Sequence, residues 1–111
     1  MEFSDFKDEK LELNAEELRQ TLNIESGKLE WQELQIHFAR GNVVVISSEL
    51  DLINVSEKFV NDDSKTIEKW LTDKEIWRAT DDDAKKWLKA QSTFWAVVVP
   101  PWLLVQEIIQ S

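Results

Sequence analysis

His37 is the only histidine in this 111-residue chain, and the chain contains no cysteine. A Ser-His-Asp triad would depend on this one imidazole as its base, and no G-x-S-x-G nucleophile elbow accompanies it. A zinc site would have a single nitrogen ligand and no thiolate. His37 also lies near the end of a predicted helix, where a cation suits the negative pole of the helix dipole. We therefore predict no catalytic residue in this chain.

The 22 Asp and Glu residues offer carboxylates for metal binding or acid–base chemistry. Asp81 to Asp83 lack the glycine and the trailing glutamate of a calcium loop, and they follow Thr80, a typical N-cap residue. Asp62 and Asp63 likewise precede an apolar helical stripe, so we interpret both groups as helix caps. A glycosidase-type carboxylate pair stays open in so acidic a chain, although no spacing indicates one. With no glycine-rich phosphate loop either, we predict no metal and no cofactor.

Six tryptophans are the unusual feature of the composition. Trp77 and Trp102 each lie beside charged or broken segments, and an indole N–H favours a position with one polar edge, interfaces included. We predict that one of these two contributes to a protein interface. The other four lie on apolar helical stripes or in a valine-rich run and are predicted to be mostly buried: Trp31, Trp70, Trp87 and Trp95.

The net charge of −9 opposes contacts with phosphates and anionic lipid headgroups, so we expect neither nucleic acid nor a membrane as a partner. The amino terminus has no apolar signal region, and the longest apolar run, residues 94–105, is too short to span a bilayer. We expect a cytoplasmic protein. The length fits one domain, which we place at residues 14–111, after a mobile lead-in at residues 1–13.

The elements that must position these side chains begin with two helical patterns. Asn14 and Glu17 have the spacing of a capping box, and apolar residues over 24–38 recur at helical intervals as far as Gly41. Further helical stripes follow at residues 52–60 and 64–71 and after Thr80. Three short runs predict strands, of which the first is central and covered on both faces: Val43–Ile46, Glu75–Ala79 and Trp95–Val99.

Beyond Pro100 we expect extended chain to about Gln106, although a helix opening at Pro101 is the alternative. These patterns predict an α+β domain in which a small, about three-stranded sheet packs with four or five helices. A parallel α/β sheet is the alternative architecture. We prefer α+β because the first two helical patterns precede any strand.

Short motifs also occur in a fixed order along the chain. These are Trp31, Glu33 and Leu34; Phe38 to Gly41; a valine-rich strand; Leu50 to Leu52; Trp95 to Val99; and Pro101, Trp102, Val105 and Gln106. This order resembles the bacterial proteins grouped as domain of unknown function 2288, over about residues 15–107. Pro100 departs from the small residue expected there. The resemblance implies a small bacterial cytosolic protein with no established activity, so it assigns no catalytic residue. Its polar positions in this chain are Glu33, Arg40, Asp51 and Gln106.

Two functions remain open. The favoured one is a non-enzymatic interaction module that self-associates, or binds another protein, through aromatic surface near Trp77 or Trp102. A homodimer is expected because the chain holds more apolar surface than a three-stranded sheet covers. The alternative is a small-molecule-binding protein or an enzyme with a pocket near Arg40, Glu33 and Gln106. There Arg40 would bind a carboxylate or phosphate, and Glu33 would act as a base.

Overall fold

The computed structural model describes residue 14, residues 16–18 and residues 26–108. Asn14 accepts the backbone N–H of Glu17 at 2.8 Å and residues 16–18 are helical, which confirms the predicted start of the first helix. The predicted lead-in at residues 1–13 lies outside the described residues. The remaining described elements are β1 (Gly27–Glu30), α1 (Trp31–Ala39), β2 (Val43–Ile46), α2 (Leu52–Val60), α3 (Ser64–Thr72), β3 (Ile76–Arg78), α4 (Asp81–Ala90), β4 (Thr93–Val99) and β5 (Trp102–Glu107).

The strands form one mixed sheet in the order β1-β4-β5-β2-β3. β2 and β5 run parallel, and the other neighbours are antiparallel. The α+β class is confirmed, but the expected three strands are too few, because β1 and β5 complete a sheet of five. β2 is an interior strand with all four residues buried, as its β-branched run predicts. β1 and β3 form the two edges.

β1 is the element that the sequence pattern misassigns. The helical spacing over residues 24–38 predicts a helix through Gly27, yet Gly27–Glu30 is a strand and helix begins only at Trp31. The physical reason is long-range pairing, because β1 lies against the long strand β4, with Leu29 opposite Phe94. Helix α1 then ends where predicted, since Gly41 has a φ of +75°, which glycine adopts without strain.

The sheet separates two apolar cores. On one face, which we call the α1/α4 face, Trp31, Trp87 and Phe94 are buried against alternate strand residues such as Val43 and Val45. The opposite face, the α2/α3 face, buries the intervening strand residues against helices α2 and α3. The alternation follows from the two-residue repeat of a strand. The buried residues on the α2/α3 face include Val44, Ile46, Val55, Val60, Val97 and Leu104.

Burial of the tryptophans agrees with the sequence analysis at two positions. Trp31 and Trp87 are buried, Trp70 is only half-buried, and Trp95 is 44% exposed, so the prediction of a buried Trp95 is wrong. Trp95 lies on the α2/α3 face opposite Lys28 of the edge strand β1, and the Lys28 ammonium lies 5.5 Å from the indole centroid. A valine-rich run predicts a strand, but it does not show which residues of that strand stay exposed to solvent.

Local caps determine where two of the later helices begin. At α4, the Thr80 hydroxyl oxygen accepts the Asp83 N–H at 3.1 Å and the Asp83 carboxylate accepts the Thr80 N–H at 3.0 Å. This capping box confirms the predicted helix start. At α2 the cap is Asp51, which accepts the N–H of Ile53 at 2.9 Å. Within the described part of the chain, no helix is long and apolar enough to cross a membrane.

Candidate interaction surface around strand β3

The three residues of the predicted ligand pocket do not come together. Glu33 and Arg40 lie at opposite ends of α1 and are exposed on the α1/α4 face. Seven residues of helix separate them by about 10 Å along the axis. Gln106 lies on β5, two residues after Leu104, and its side chain therefore extends to the α2/α3 face. The sheet thus stands between Gln106 and the other two.

The side chain of Gln106 instead binds two backbone carbonyl groups. Its Nε2 donates hydrogen bonds to the carbonyl oxygens of Ser47 at 2.8 Å and of Leu50 at 2.7 Å. These carbonyls belong to the loop between β2 and α2. Since a half-buried carbonyl without a partner is costly, the amide fixes this loop against β5. The contact gives Gln106 a structural role.

The two predicted interface residues lie on opposite faces of the sheet, Trp77 in the edge strand β3 and Trp102 in β5, which β2 separates from that edge. Trp77 is half-buried in the middle of β3 on the α1/α4 face, and its Nε1 donates to Oδ2 of Asp83 at 3.0 Å. Trp102 is half-buried at the start of β5 on the α2/α3 face. Arg78 of β3 lies above it, with Cζ 5.6 Å from the Trp102 ring centroid.

Arg78 is held in that position by the backbone. Its Nε and Nη2 both donate to the carbonyl oxygen of Gly41, at 2.8 and 2.6 Å. Gly41 follows α1, so the guanidinium connects the edge strand with the end of that helix. A cation held over an indole in this way adds a favourable electrostatic interaction to the contact.

An apolar groove opens beside Trp102 on the α2/α3 face. It has a volume of about 280 Å³ and is bounded by α2, α3, β2 and β3. Helix α3 has no fully buried residue, and Leu71 in its last turn is 48% exposed. The groove is therefore open to solvent along a helix whose apolar stripe is only partly covered. Its walls include Phe59, Ile67, Leu71, Ile76, Arg78 and Trp102.

We use the name β3 surface for Leu71, Trp77, Arg78 and Trp102 together with the outer edge of β3, which pairs with no other described strand. The two tryptophans were predicted from the sequence, whereas Leu71 and Arg78 were not. Leu71 belongs to an α3 stripe that predicts core as readily as surface. Arg78 gives no local signal, because its contacts with Gly41 and Trp102 depend on the order of the strands.

A second cavity, which we call the Glu107 cavity, lies where the parallel strands β2 and β5 end. It has a volume of about 220 Å³, and the residues that line it include Ser47, Trp77, Lys86 and Glu107. The Glu107 carboxylate accepts a hydrogen bond from the Ser92 hydroxyl at 2.8 Å, and its other oxygen lies 3.8 Å from the Lys86 ammonium. Among the described residues, no group of three His, Cys, Asp or Glu side chains is placed to hold a metal ion.

Comparison with known proteins agrees with this architecture. No curated protein matches the chain. Among solved structures, the solution NMR structure of PA1075 from Pseudomonas aeruginosa is similar, with 37% sequence identity and a TM-score of 0.73 over 80% of this chain and 82% of that one. A family model described as a protein of unknown function, DUF2288, matches residues 17–107, which confirms the resemblance drawn from the sequence motifs. The chain belongs to the DUF2288 family.

Proposed function

We propose that the protein is an interaction module that binds a second copy of itself through the β3 surface. The observation that carries this proposal is that Trp77 lies on one face of the edge strand β3, while the next residue, Arg78, lies on the other face above the ring of Trp102. Tryptophan and arginine are the residue types that most often dominate the binding energy of protein interfaces. The role is one of binding and requires no catalytic group.

Charge also favours association at this surface. Residues 64–79, which contain α3 and β3, hold four Lys or Arg and three Asp or Glu, a net charge of +1, whereas the whole chain carries −9. The remaining residues therefore carry −10. Two copies that meet through this nearly neutral segment bring fewer like charges together than most other orientations would, so the contact carries less like-charge repulsion.

The exposed side chain of Leu71 allows a direct test. We expect Leu71→Asp to place a charge in the apolar groove and to shift the protein from dimer to monomer in analytical ultracentrifugation. Because Leu71 is about half exposed, the substitution leaves the fold intact, which circular dichroism checks.

Leu88→Asp is the matched control. Leu88 is 53% exposed and also lies on a helix, α4, but it does not line the groove. We expect this variant to dimerise as the unmodified protein does. Loss of the dimer in both variants, or in neither, would contradict the proposed surface.

The second candidate function is small-molecule binding in the Glu107 cavity. It is supported by the half-buried Glu107 carboxylate, which Ser92 and Lys86 orient at the ends of two parallel strands. In open sheets with parallel strands, ligands tend to bind outside the carboxyl ends of those strands. A pocket that joins Arg40, Glu33 and Gln106 is not what the geometry supports, because the sheet separates them.

A thermal-shift screen of metabolites tests this candidate. A ligand at 100 times its dissociation constant stabilises the folded state by about 2.7 kcal/mol, which is readily measured. We expect any such shift to disappear in Glu107→Gln and to persist in Arg40→Ala. A shift that depends on Arg40 instead would place the ligand on α1.

A further inference from the structure

We propose that the two copies pair their β3 strands antiparallel about a two-fold axis at Trp77, which joins the two sheets into one continuous sheet of ten strands. This inference rests on the proposed self-association and specifies its geometry. In this geometry, backbone N–H and C=O groups of the two β3 strands meet in one defined register.

The backbone groups of β3 point alternately toward β2 and away from it. Glu75 and Ala79 are hydrogen-bonded to β2, through Ser47 N to Glu75 O at 2.8 Å and Ala79 N to Val43 O at 3.0 Å. In an antiparallel pair, such positions alternate with positions whose N–H and C=O point away from the partner strand. The backbone groups of Ile76 and Arg78 therefore face the outer edge of the sheet, where no described strand pairs with them, and they can pair with another strand.

The charged side chains in and beside β3 select the register. Two β3 strands related by a two-fold axis can centre on Ile76, Trp77 or Arg78 while keeping these outward groups paired. Centring on Arg78 places two arginines directly opposite each other, and centring on Ile76 brings Lys74, in the turn just before β3, toward the partner's Arg78. Like charges directly opposite each other are destabilising. Centring on Trp77 avoids both conflicts and pairs Ile76 with the partner's Arg78 on each side of the axis.

Charges just outside the paired strands are complementary in the register centred on Trp77. Lys74, in the turn before β3, then comes near the partner's Thr80, which follows its β3. Thr80 is the N-cap of α4, and exposed Asp81 and Asp82 follow it. Each exposed Lys74 therefore approaches the acidic first turn of the other copy's α4. The two-fold axis produces this attraction twice.

The register also brings the two Trp77 side chains together. They form a non-hydrogen-bonded antiparallel pair, the type with the closer Cα atoms, at about 4.5 Å. Each indole is oriented by its hydrogen bond to Asp83. On the opposite face, the groove of each copy reaches the joined edge at Ile76 and Arg78.

Single-cysteine variants test the register, because the chain has no cysteine of its own. We expect Trp77→Cys to form a disulfide-linked dimer under mild oxidation with glutathione, since the Cα separation of the facing pair suits a disulfide. Arg78→Cys and Leu88→Cys serve as comparisons and should cross-link far less. Efficient cross-linking of Arg78→Cys with little from Trp77→Cys would overturn the register.

A backbone variant gives an independent measurement if loss of the Trp77 indole perturbs the fold. Arg78→Pro removes an outward N–H from each copy, and proline is tolerated at a sheet edge. Arg78→Ala removes the same side chain but keeps the N–H. We expect Arg78→Pro to weaken dimerisation about tenfold relative to Arg78→Ala in sedimentation equilibrium. Equal affinities would overturn the edge pairing.

These outcomes separate the two proposals. A protein that dimerises and loses the dimer in Leu71→Asp, but shows neither Trp77→Cys cross-linking nor the Arg78→Pro effect, keeps the interaction surface and loses the β3 pairing. A protein that remains monomeric at every concentration overturns both.

Discussion

The indole nitrogen of Trp77 and the backbone nitrogen of Thr80 donate hydrogen bonds to the same oxygen, Oδ2 of Asp83, each at 3.0 Å. One carboxylate therefore completes the capping box of α4 and orients the central side chain of β3. The contact connects the start of a helix with the outer edge of the sheet. An edge residue held in this way presents a defined surface to a partner.

We expect Asp83→Ala to lower the free energy of unfolding by about 1 to 2 kcal/mol, because both the cap and the indole lose a partner. Asp82→Ala is the control, since Asp82 lies in the same first turn and is exposed. It should cost about 0.5 kcal/mol or less. Urea denaturation measures both values, and equal effects of the two substitutions would contradict the shared role of Asp83.

The tryptophan positions predict a graded effect on stability. Trp87 is 2% exposed, and its ring meets Phe94 edge-on with the centroids 4.9 Å apart. We expect Trp87→Ala to cost about 3 to 5 kcal/mol. Trp95→Ala should cost much less, because 44% of this residue is already exposed. A change of less than about 1 kcal/mol for Trp87→Ala in urea denaturation would show that Trp87 is not part of the core.

Asp63 predicts a pH dependence. Hydrogen bonds from the side chain and backbone of Thr66 lower the pKa of the Asp63 carboxyl, with a smaller contribution from Lys58. A lowered pKa in the folded state means that the carboxylate stabilises the fold above its ordinary pKa, and that this contribution is lost as the pH falls through the lowered value. In an NMR titration, we expect Thr66→Val to raise the pKa of Asp63 toward its ordinary value. An unchanged midpoint would exclude the Thr66 hydroxyl as a cause of the lowered pKa.

Much of the fold follows from local sequence signals. The run Val43–Ile46 predicts an interior strand because β-branched residues follow a glycine. Thr80 predicts a helix start because an N-cap depends only on the few residues that follow it in the sequence. Strand β1 cannot be predicted from local signals, because Gly27–Glu30 fits a helical spacing. It becomes a strand only by pairing with β4, which lies far along the chain. Sheet pairing overrides the local pattern there.

The candidate site was predictable only in part. Trp77 and Trp102 are recognisable as tryptophans outside regular stripes, but their position on opposite faces of the sheet depends on the strand order. The grouping of Arg40 with Gln106 fails for the same reason. Which face Gln106 occupies depends on the alternation along β5, and α1 packs against the other face.

The net charge of −9 predicts the effect of salt on the dimer. The Debye length falls from about 30 Å at 0.01 M to about 8 Å at 0.15 M ionic strength, so salt screens the repulsion between the acidic surfaces beyond the contact. We therefore expect the dimer dissociation constant to decrease between these two conditions in sedimentation equilibrium. A dimer that weakens steadily with salt would instead indicate that ion pairs such as the one proposed at Lys74 dominate.

The molar mass in solution tests self-association most directly. Size-exclusion chromatography with light scattering, run over a wide range of protein concentration at moderate salt, should approach twice the chain mass of 13.0 kDa as concentration rises. The Leu71→Asp variant, run alongside, should remain at the mass of a single chain. A mass near 13.0 kDa for the unmodified protein at every concentration and salt would contradict the proposed interaction module.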